Sequence, residues 1–294
     1  MTDLYRQITD KIVSQIEANP GSWLKPWAAA RAEGMPFNAT TSARYRGVNV
    51  LLLWNSAAVQ GFSGNQWASY KQWAAHGAQV RRGEKGTMIV YYGTTAVKDR
   101  SDPSAPEQQI RFLKYSHVFN ACQVDGYTVD RPAMPALAER LTRAEQFVSA
   151  TGASVRYGSD RAFYAPGPDM IAMPDFAQFT GSPTSTPTEA AYGTLLHELV
   201  HWTGHERRCA RQFGKRFGDD AYAAEELVAE LGAAFLCASL GISADPRQDH
   251  AQYLASWLKI MKGDRKAIFT AASKASDAAD FLGKFSAEPV SIAA

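Results

Sequence analysis

Residues 197–201 read His-Glu-Leu-Val-His inside a stretch patterned as a helix, and no other feature constrains the fold as tightly. Histidines four apart share one helical face, so both imidazoles can reach a single metal ion. Glu198 is rotated by about 100° from His197, which aims its carboxylate at the metal's open position. A zinc ion held by two histidines and one more ligand keeps a water in the fourth site and lowers its pKa toward about 7. Glu198 is then expected to be the general base that takes that water's proton.

The surrounding residues support a real helix. Thr186-Pro187-Thr188-Glu189 has the form of a helix start: Thr186 can cap, Pro187 suits the first helical position, and Glu189 completes a capping box. Gly204 sits where a residue just past the helix end belongs. The expected helix therefore runs over 187–203. Leu195, Leu199 and Trp202 fall near one apolar stripe that anchors it in a core.

A third protein ligand is needed. The run from Tyr222 reads as a second helix ending near Gly241, largely apolar but for Glu225, Glu226 and Glu230. Carboxylates in such a helix are costly to bury without partners. Glu226 and Glu230 are four apart and share a face. Glu226 is the expected ligand, and Glu230 the expected acceptor of a proton from a ligand histidine's other nitrogen. Glu225 is expected to face solvent, although the residues alone leave the choice among the three open. A histidine third ligand six residues after His201 is excluded, because that position is Arg207. His205 is expected to cap the helix or touch substrate. Tyr192, Tyr222 and His250 are candidates to stabilise an oxyanion.

A chain of 294 residues, 46% apolar and 20% charged, fits an ordinary globular protein with room for two domains. No apolar run approaches the length of a membrane span, and the first residues lack the pattern of a signal peptide. Cys122, Cys209 and Cys237 are odd in number and scattered, which points to a reducing cytoplasm and against a disulfide framework or a cysteine zinc site. Charge is uneven along the chain. Residues 1–131 hold 15 Lys and Arg against 10 Asp and Glu, a net of +5, while the remainder holds 16 against 19, a net of −3.

Leu4, Ile8, Ile12 and Ile16 repeat every four residues and predict an amphipathic helix over 3–18. Helices are also expected at 48–60, 66–76, 137–150 and, as a pair, 246–283. Strands are expected at 87–92 and 111–119, with shorter ones near Val155, Phe163 and Ile171. Residues 98–109 read as a loop, and 130–135 as a linker between a domain at 1–130 and another at 137–294. The fold class is α+β: an N-terminal α+β domain and a C-terminal, mainly helical domain with a small sheet.

The N-terminal part carries a possible polyanion surface. Between residues 44 and 85, Arg44, Arg46, Lys71, Arg81, Arg82 and Lys85 face only Glu84. Trp23, Trp27, Trp54, Trp67 and Trp73 interleave with them, as do Tyr45 and Tyr70. Aromatic rings that stack bases beside cations that track phosphates hold single strands without reading sequence, each stacked base contributing about 1–3 kcal/mol. Arg44, Tyr45, Arg46, Trp67, Lys71, Arg81, Arg82 and Lys85 are the expected contacts. Trp54 and Trp73, at helical spacing, are expected in the core.

These segments resemble the ArdC antirestriction proteins of conjugative plasmids over nearly the whole chain. The resemblance is carried by Trp23-Leu24-Lys25-Pro26-Trp27, by the run from Tyr45 to Trp54, by Val80-Arg81-Arg82-Gly83-Glu84-Lys85-Gly86 and by Val118-Phe119-Asn120. Residues 197–205 and the segment from Glu225 to Glu230 are similar to the family's zincin-type metallopeptidase domain. The resemblance implies an N-terminal domain that binds single-stranded DNA without sequence preference, and protection of incoming plasmid DNA from host restriction. Zinc is the expected cofactor, though another divalent transition metal suits the same donors. A host restriction component is the expected protein substrate, and no membrane partner is expected.

Overall fold

The computed structural model describes residues 3–18, 34–97, 108–128, 134–211, 220–243 and 250–286. Trp23, Trp27, most of the expected loop at 98–109 and most of the expected linker at 130–135 lie outside these residues.

Helix α1, Leu4–Ala18, buries Ile8, Ile12 and Ile16, the four-residue repeat read from the sequence. Helix α2, Val48–Gln60, ends at Gly61, whose φ of 67° is the left-handed cap that glycine adopts without a steric penalty. The segment expected to be one helix over 66–76 is two elements. Gln66–Ala68 is strand β2, and a short helix α3, Tyr70–Ala75, follows. Ser69 separates them by accepting the Gln72 N–H while the Gln72 side chain accepts from Ser69 N–H. A capping box inside an apparent helical run starts a new helix there.

Strands β1, Phe37–Asn38, β4, Thr87–Val97, and β5, Gln108–Asn120, join β2 in a four-stranded sheet of order β1-β2-β5-β4. The β4–β5 pair is antiparallel, with Tyr91 opposite Lys114 and Val90 opposite Tyr115. The Asn49 side chain of α2 both donates to Val90 O and accepts from Val90 N, each at 2.8 Å, so α2 occupies the edge of β4. Strands β3, Gln79–Val80, and β6, Val124–Asp125, form a small second sheet.

Helix α4, Leu137–Ala150, leads to a three-stranded sheet of β7, Ser154–Arg156, β8, Phe163–Ala165, and β9, Met170–Ala172, in the order β7-β9-β8. Then come α5, Pro187–Thr203, α6, Asp220–Leu240, α7, His250–Gly263, and α8, Ala267–Gly283. The Thr186–Glu189 capping box closes as its spacing predicts.

The largest apolar core runs through both parts of the chain. Ile8, Ile12, Ile16, Val48, Leu51 and Trp54 pack in the same cluster as Leu195, Leu199, Phe235, Trp257 and Ile268. Thr9 donates to Arg265 O at 2.8 Å, and Lys262 pairs with Glu17 at 2.5 Å. Packing between α5 and α6 is close because Gly232 has no side chain. A Cβ there would lie 2.7 Å from Val200 Cγ2, well inside contact distance. Val200 directly precedes His201 and follows His197 by three residues, so this contact sets how near α6 comes to them.

Candidate metal centre

Helix α5 presents His197 and His201 on one face, and both are buried, as is Glu198. Their Nε2 atoms lie 3.1 Å apart. Helix α6 crosses opposite and brings Glu226 to both: Oε2 lies 3.5 Å from His197 Nε2, and Oε1 lies 3.4 Å from His201 Nε2. Among the described residues, His197, His201 and Glu226 are the group whose ligand atoms converge in this way. Zinc bonds of about 2.0–2.2 Å to nitrogen and oxygen put two tetrahedral ligands about 3.3–3.5 Å apart. Both histidine–carboxylate separations fall in that range and the 3.1 Å between the histidines lies just below it, so the trio needs only a slight opening to hold a small divalent ion, and the two-histidine, one-carboxylate set suits zinc.

The residues behind the ligands differ in part from the sequence reading. Glu230 Oε1 lies 3.0 Å from His197 Nδ1. Glu225, expected in solvent, is instead buried: its Oε1 lies 3.2 Å from His201 Nδ1. Each ligand histidine thus has a carboxylate at its outer nitrogen, the arrangement that fixes the ring and its tautomer.

The charge of Glu225 is met by Arg211. Its Nε donates to Glu225 Oε2 at 2.9 Å and its Nη2 to Oε1 at 2.8 Å. Arg211 also donates to Thr203 Oγ1 at 2.7 Å and to Val200 O at 2.5 Å, near the end of α5. The local backbone explains its position. Gly204 caps α5 in a right-handed conformation rather than the left-handed one expected of a terminal glycine. The left-handed residue is Ala210, with φ 48°. The turn closes through Cys209 N–H on Thr203 O and Arg211 N–H on Gly204 O, which folds Arg211 back under the helix. Arg208 braces the same turn, stacked 3.8 Å from the Trp202 ring and paired with Asp169. His205 Nδ1 accepts the Arg207 N–H within it. Tyr192 donates to Glu145 at 2.5 Å, so its hydroxyl is engaged on α4. Tyr222 lies in the first turns of α6, half-buried, and the His250 side chain lies outside the described residues.

Burial opposes a charge on His201, but Glu225, Glu226 and Glu198 outweigh it and raise its pKa to about 10. Burial also works against ionising Glu226, yet its hydrogen bonds with His197 and His201 hold it far below the ordinary carboxylate range. Without a metal ion, His201 therefore keeps a proton at neutral pH, and an incoming ion must displace it. Metal affinity is expected to rise with pH, with about one proton released per ion at pH 7. Titration calorimetry in buffers of different ionisation enthalpy measures that number, and zero counts against the arrangement. The proton's contribution to the stability of the metal-free chain is fully present below pH 6.5 and is lost as pH rises through about 10.

The expected nucleic-acid contacts lie in different settings. Trp67 is 1% exposed and packs with Leu53, Ala57 and Val118, so it cannot stack a base. Trp54 and Trp73 are core residues, as expected. Tyr45 is half-buried, and burial pushes its hydroxyl up to about 12. Arg44 donates to Ser239, while Arg46 pairs with Asp277 and Asp280. Arg44 thus binds α6, and Arg46, although its side chain is 46% exposed, has its charge met by α8. Arg81 pairs with Glu84 and Asp125. Lys71, Arg82 and Lys85 are exposed and make no ion pair among the described residues.

The chain aligns with known proteins at both ends and as a whole. Residues 2–119 match the N-terminal domain of the anti-restriction factor ArdC, and residues 142–274 match a zincin-like metallopeptidase domain. The protein y4eC of Sinorhizobium fredii is 42% identical over 290 residues, covering 96% of this chain and 92% of that protein. The DNA primase TraC of Escherichia coli is 38% identical over 304 residues, but this chain spans only 27% of the primase. The crystal structure of the antirestriction ArdC protein from the R388 plasmid, metal-free, superposes with a TM-score of 0.80 at 39% identity, covering 97% of this chain and 98% of that one. Its Mn(II)-bound form gives a TM-score of 0.77 at the same identity, covering 98% and 99%. A divalent cation thus accompanies this fold in a relative, and no helix among the described residues is long and apolar enough to cross a membrane. With both family domains present in order and full-length structural agreement, the chain belongs to the ArdC family of antirestriction proteins, an α+β protein that carries a zincin-like metallopeptidase domain.

Proposed function

We propose that this protein binds single-stranded DNA non-specifically and acts as a zinc metallopeptidase in the cytoplasm, protecting incoming plasmid DNA from host restriction. Residues 1–130 supply the DNA-binding unit and residues 137–294 the peptidase unit, although the two share one core. The observation that carries the reading is the convergence of His197, His201 and Glu226 within 4.8 Å, beside Glu198. Those three side chains hold the ion. A bound divalent cation supplies Lewis acidity and lowers the pKa of water toward about 7. The Glu198 carboxylate accepts the proton of the attacking water and passes it to the leaving amine. Glu225, backed by Arg211, and Glu230 hold the two imidazoles in register. The proposed protein substrate is a component of the host restriction machinery. Likeness to part of a DNA primase supports a nucleic-acid role, as does the positive charge of the N-terminal part.

A second reading has its own support. His197, Glu198, His201 and Glu226 are each 9% exposed or less, which suits an ion that only holds α5 to α6 while the protein shields DNA by coating it. Glu198→Ala separates the two. With catalysis as the protective step, the variant keeps its metal and loses protection of transferred DNA. Full protection with the metal still bound would leave coating as the mechanism.

A further inference from the structure

Several exposed aromatic side chains have no part in the roles above. Side chains alternate along β5, so Tyr115, His117 and Phe119 share one face. Tyr115 is 55% exposed, and its ring stands edge-on to the exposed His117 ring at 5.8 Å. Phe119, half-buried, meets Tyr70 of α3 at 6.4 Å, and Tyr70 is 51% exposed. The loop before β4 is seated against this row. A Cβ on Gly86 would come within 3.0 Å of His117 Cβ and 3.1 Å of the Phe119 ring. Lys85 directly precedes Gly86, and Arg82 lies in the turn at 81–84 just before it, so both exposed cations come from this same loop.

The charges around the row are one-sided. Glu84 is engaged by Arg81 and Gln123, and Asp125 by Arg81. Arg82 and Lys85 keep their charge for another partner. Exposed Tyr115, His117 and Tyr70 rings around a half-buried Phe119, with uncommitted cations in the adjoining loop, mark an interaction surface. Its chemistry fits unpaired bases and their phosphates, because a base inside a duplex has no free face to offer a ring.

We propose that Tyr115, His117, Phe119 and Tyr70 form the platform on which single-stranded DNA stacks its bases, with Arg82 and Lys85 taking phosphates. This rests on the single-stranded-DNA reading above and relocates the contact from the buried tryptophans to the outer face of β5. The probe is a fluorescent oligothymidylate titrated against the full chain by anisotropy. Tyr70→Ala/Tyr115→Ala is expected to weaken binding by about tenfold or more. The Tyr70→Phe/Tyr115→Phe pair keeps the rings and is expected to bind like the unaltered chain. Arg82→Ala/Lys85→Ala is expected to reduce the slope of log affinity against log salt by about 1.4. A 5-bromouracil oligonucleotide cross-linked to the unaltered chain should label Tyr70 or β5, which tests the site without any variant. Labelling confined to other elements overturns the platform, as does undiminished affinity in the alanine pair, and in both cases the single-stranded-DNA reading stands. No binding by the unaltered chain at low salt overturns that reading and the platform together.

Discussion

Arg211→Ala is expected to lower the stability of this protein by about 3–5 kcal/mol, because it leaves the buried Glu225 carboxylate without its cation. The side chains of the pair are only 3% and 6% exposed, so water cannot replace the lost bonds in the native fold. The variant also removes the Arg211 bonds to Thr203 Oγ1 and Val200 O in the last turn of α5, which keep only their 2.6 Å bond to each other among these contacts. Chemical denaturation of the metal-free protein measures the loss, and a cost below about 1 kcal/mol would mean that Glu225 finds a proton or solvent instead. Arg211→Lys is expected to recover only part of the stability, since an ammonium cannot reproduce the two parallel bonds of the guanidinium fork. The same variant releases the carboxylate that orients His201. Metal affinity is then expected to fall by about 10–100-fold, although Arg211 touches no ligand atom facing the ion.

Glu226→Ala removes a ligand rather than a support, and its effect on metal binding is expected to exceed that of Arg211→Ala or Glu230→Ala. Those two should cost about 10–100-fold each, the range for groups that hold ligands in place. Loss of Glu226 should leave a two-histidine site that gives up its ion to a competing chelator at neutral pH. Metal content after dialysis, measured for Glu225→Ala, Glu226→Ala and Glu230→Ala side by side, ranks the three carboxylates. Retention of the ion in Glu226→Ala with its loss in Glu225→Ala would reverse the assignment made from the 3.4 and 3.5 Å separations.

The three carboxylates also show where sequence reasoning stopped. Glu226 and Glu230 were separable from the apolar run by their spacing. Glu225 was not, because α6 is buried on nearly every side and so has no polar face to mark the outward direction. Its partner Arg211 lies beyond a turn whose course depends on the left-handed Ala210, and nothing local announces that turn. The only signal available was the cost of a third buried charge, which requires a cation somewhere without saying which.

Tryptophan misled for a related reason. Trp67 and Tyr115 are both aromatic residues near cations, and either can stack a base. One is sealed under α2 and the other stands in water, a difference that depends on which face of the sheet the helix covers. Alternation along β5 divides its residues into two sets but does not say which set faces out.

What this chain determines by itself is what depends on neighbours a few residues away: the capped helix over 187–203, the pairing of His197 with His201 one turn apart, and the four-residue repeat of α1. Backbone geometry turns such spacings directly into shared faces and closed caps. Tertiary structure alone decided that Arg211 answers Glu225, that Arg44 and Arg46 bind other helices, and that β5 presents an aromatic row. Those outcomes depend on which surfaces α5, α6 and the sheet remove from water, and burial is settled only when distant segments pack together.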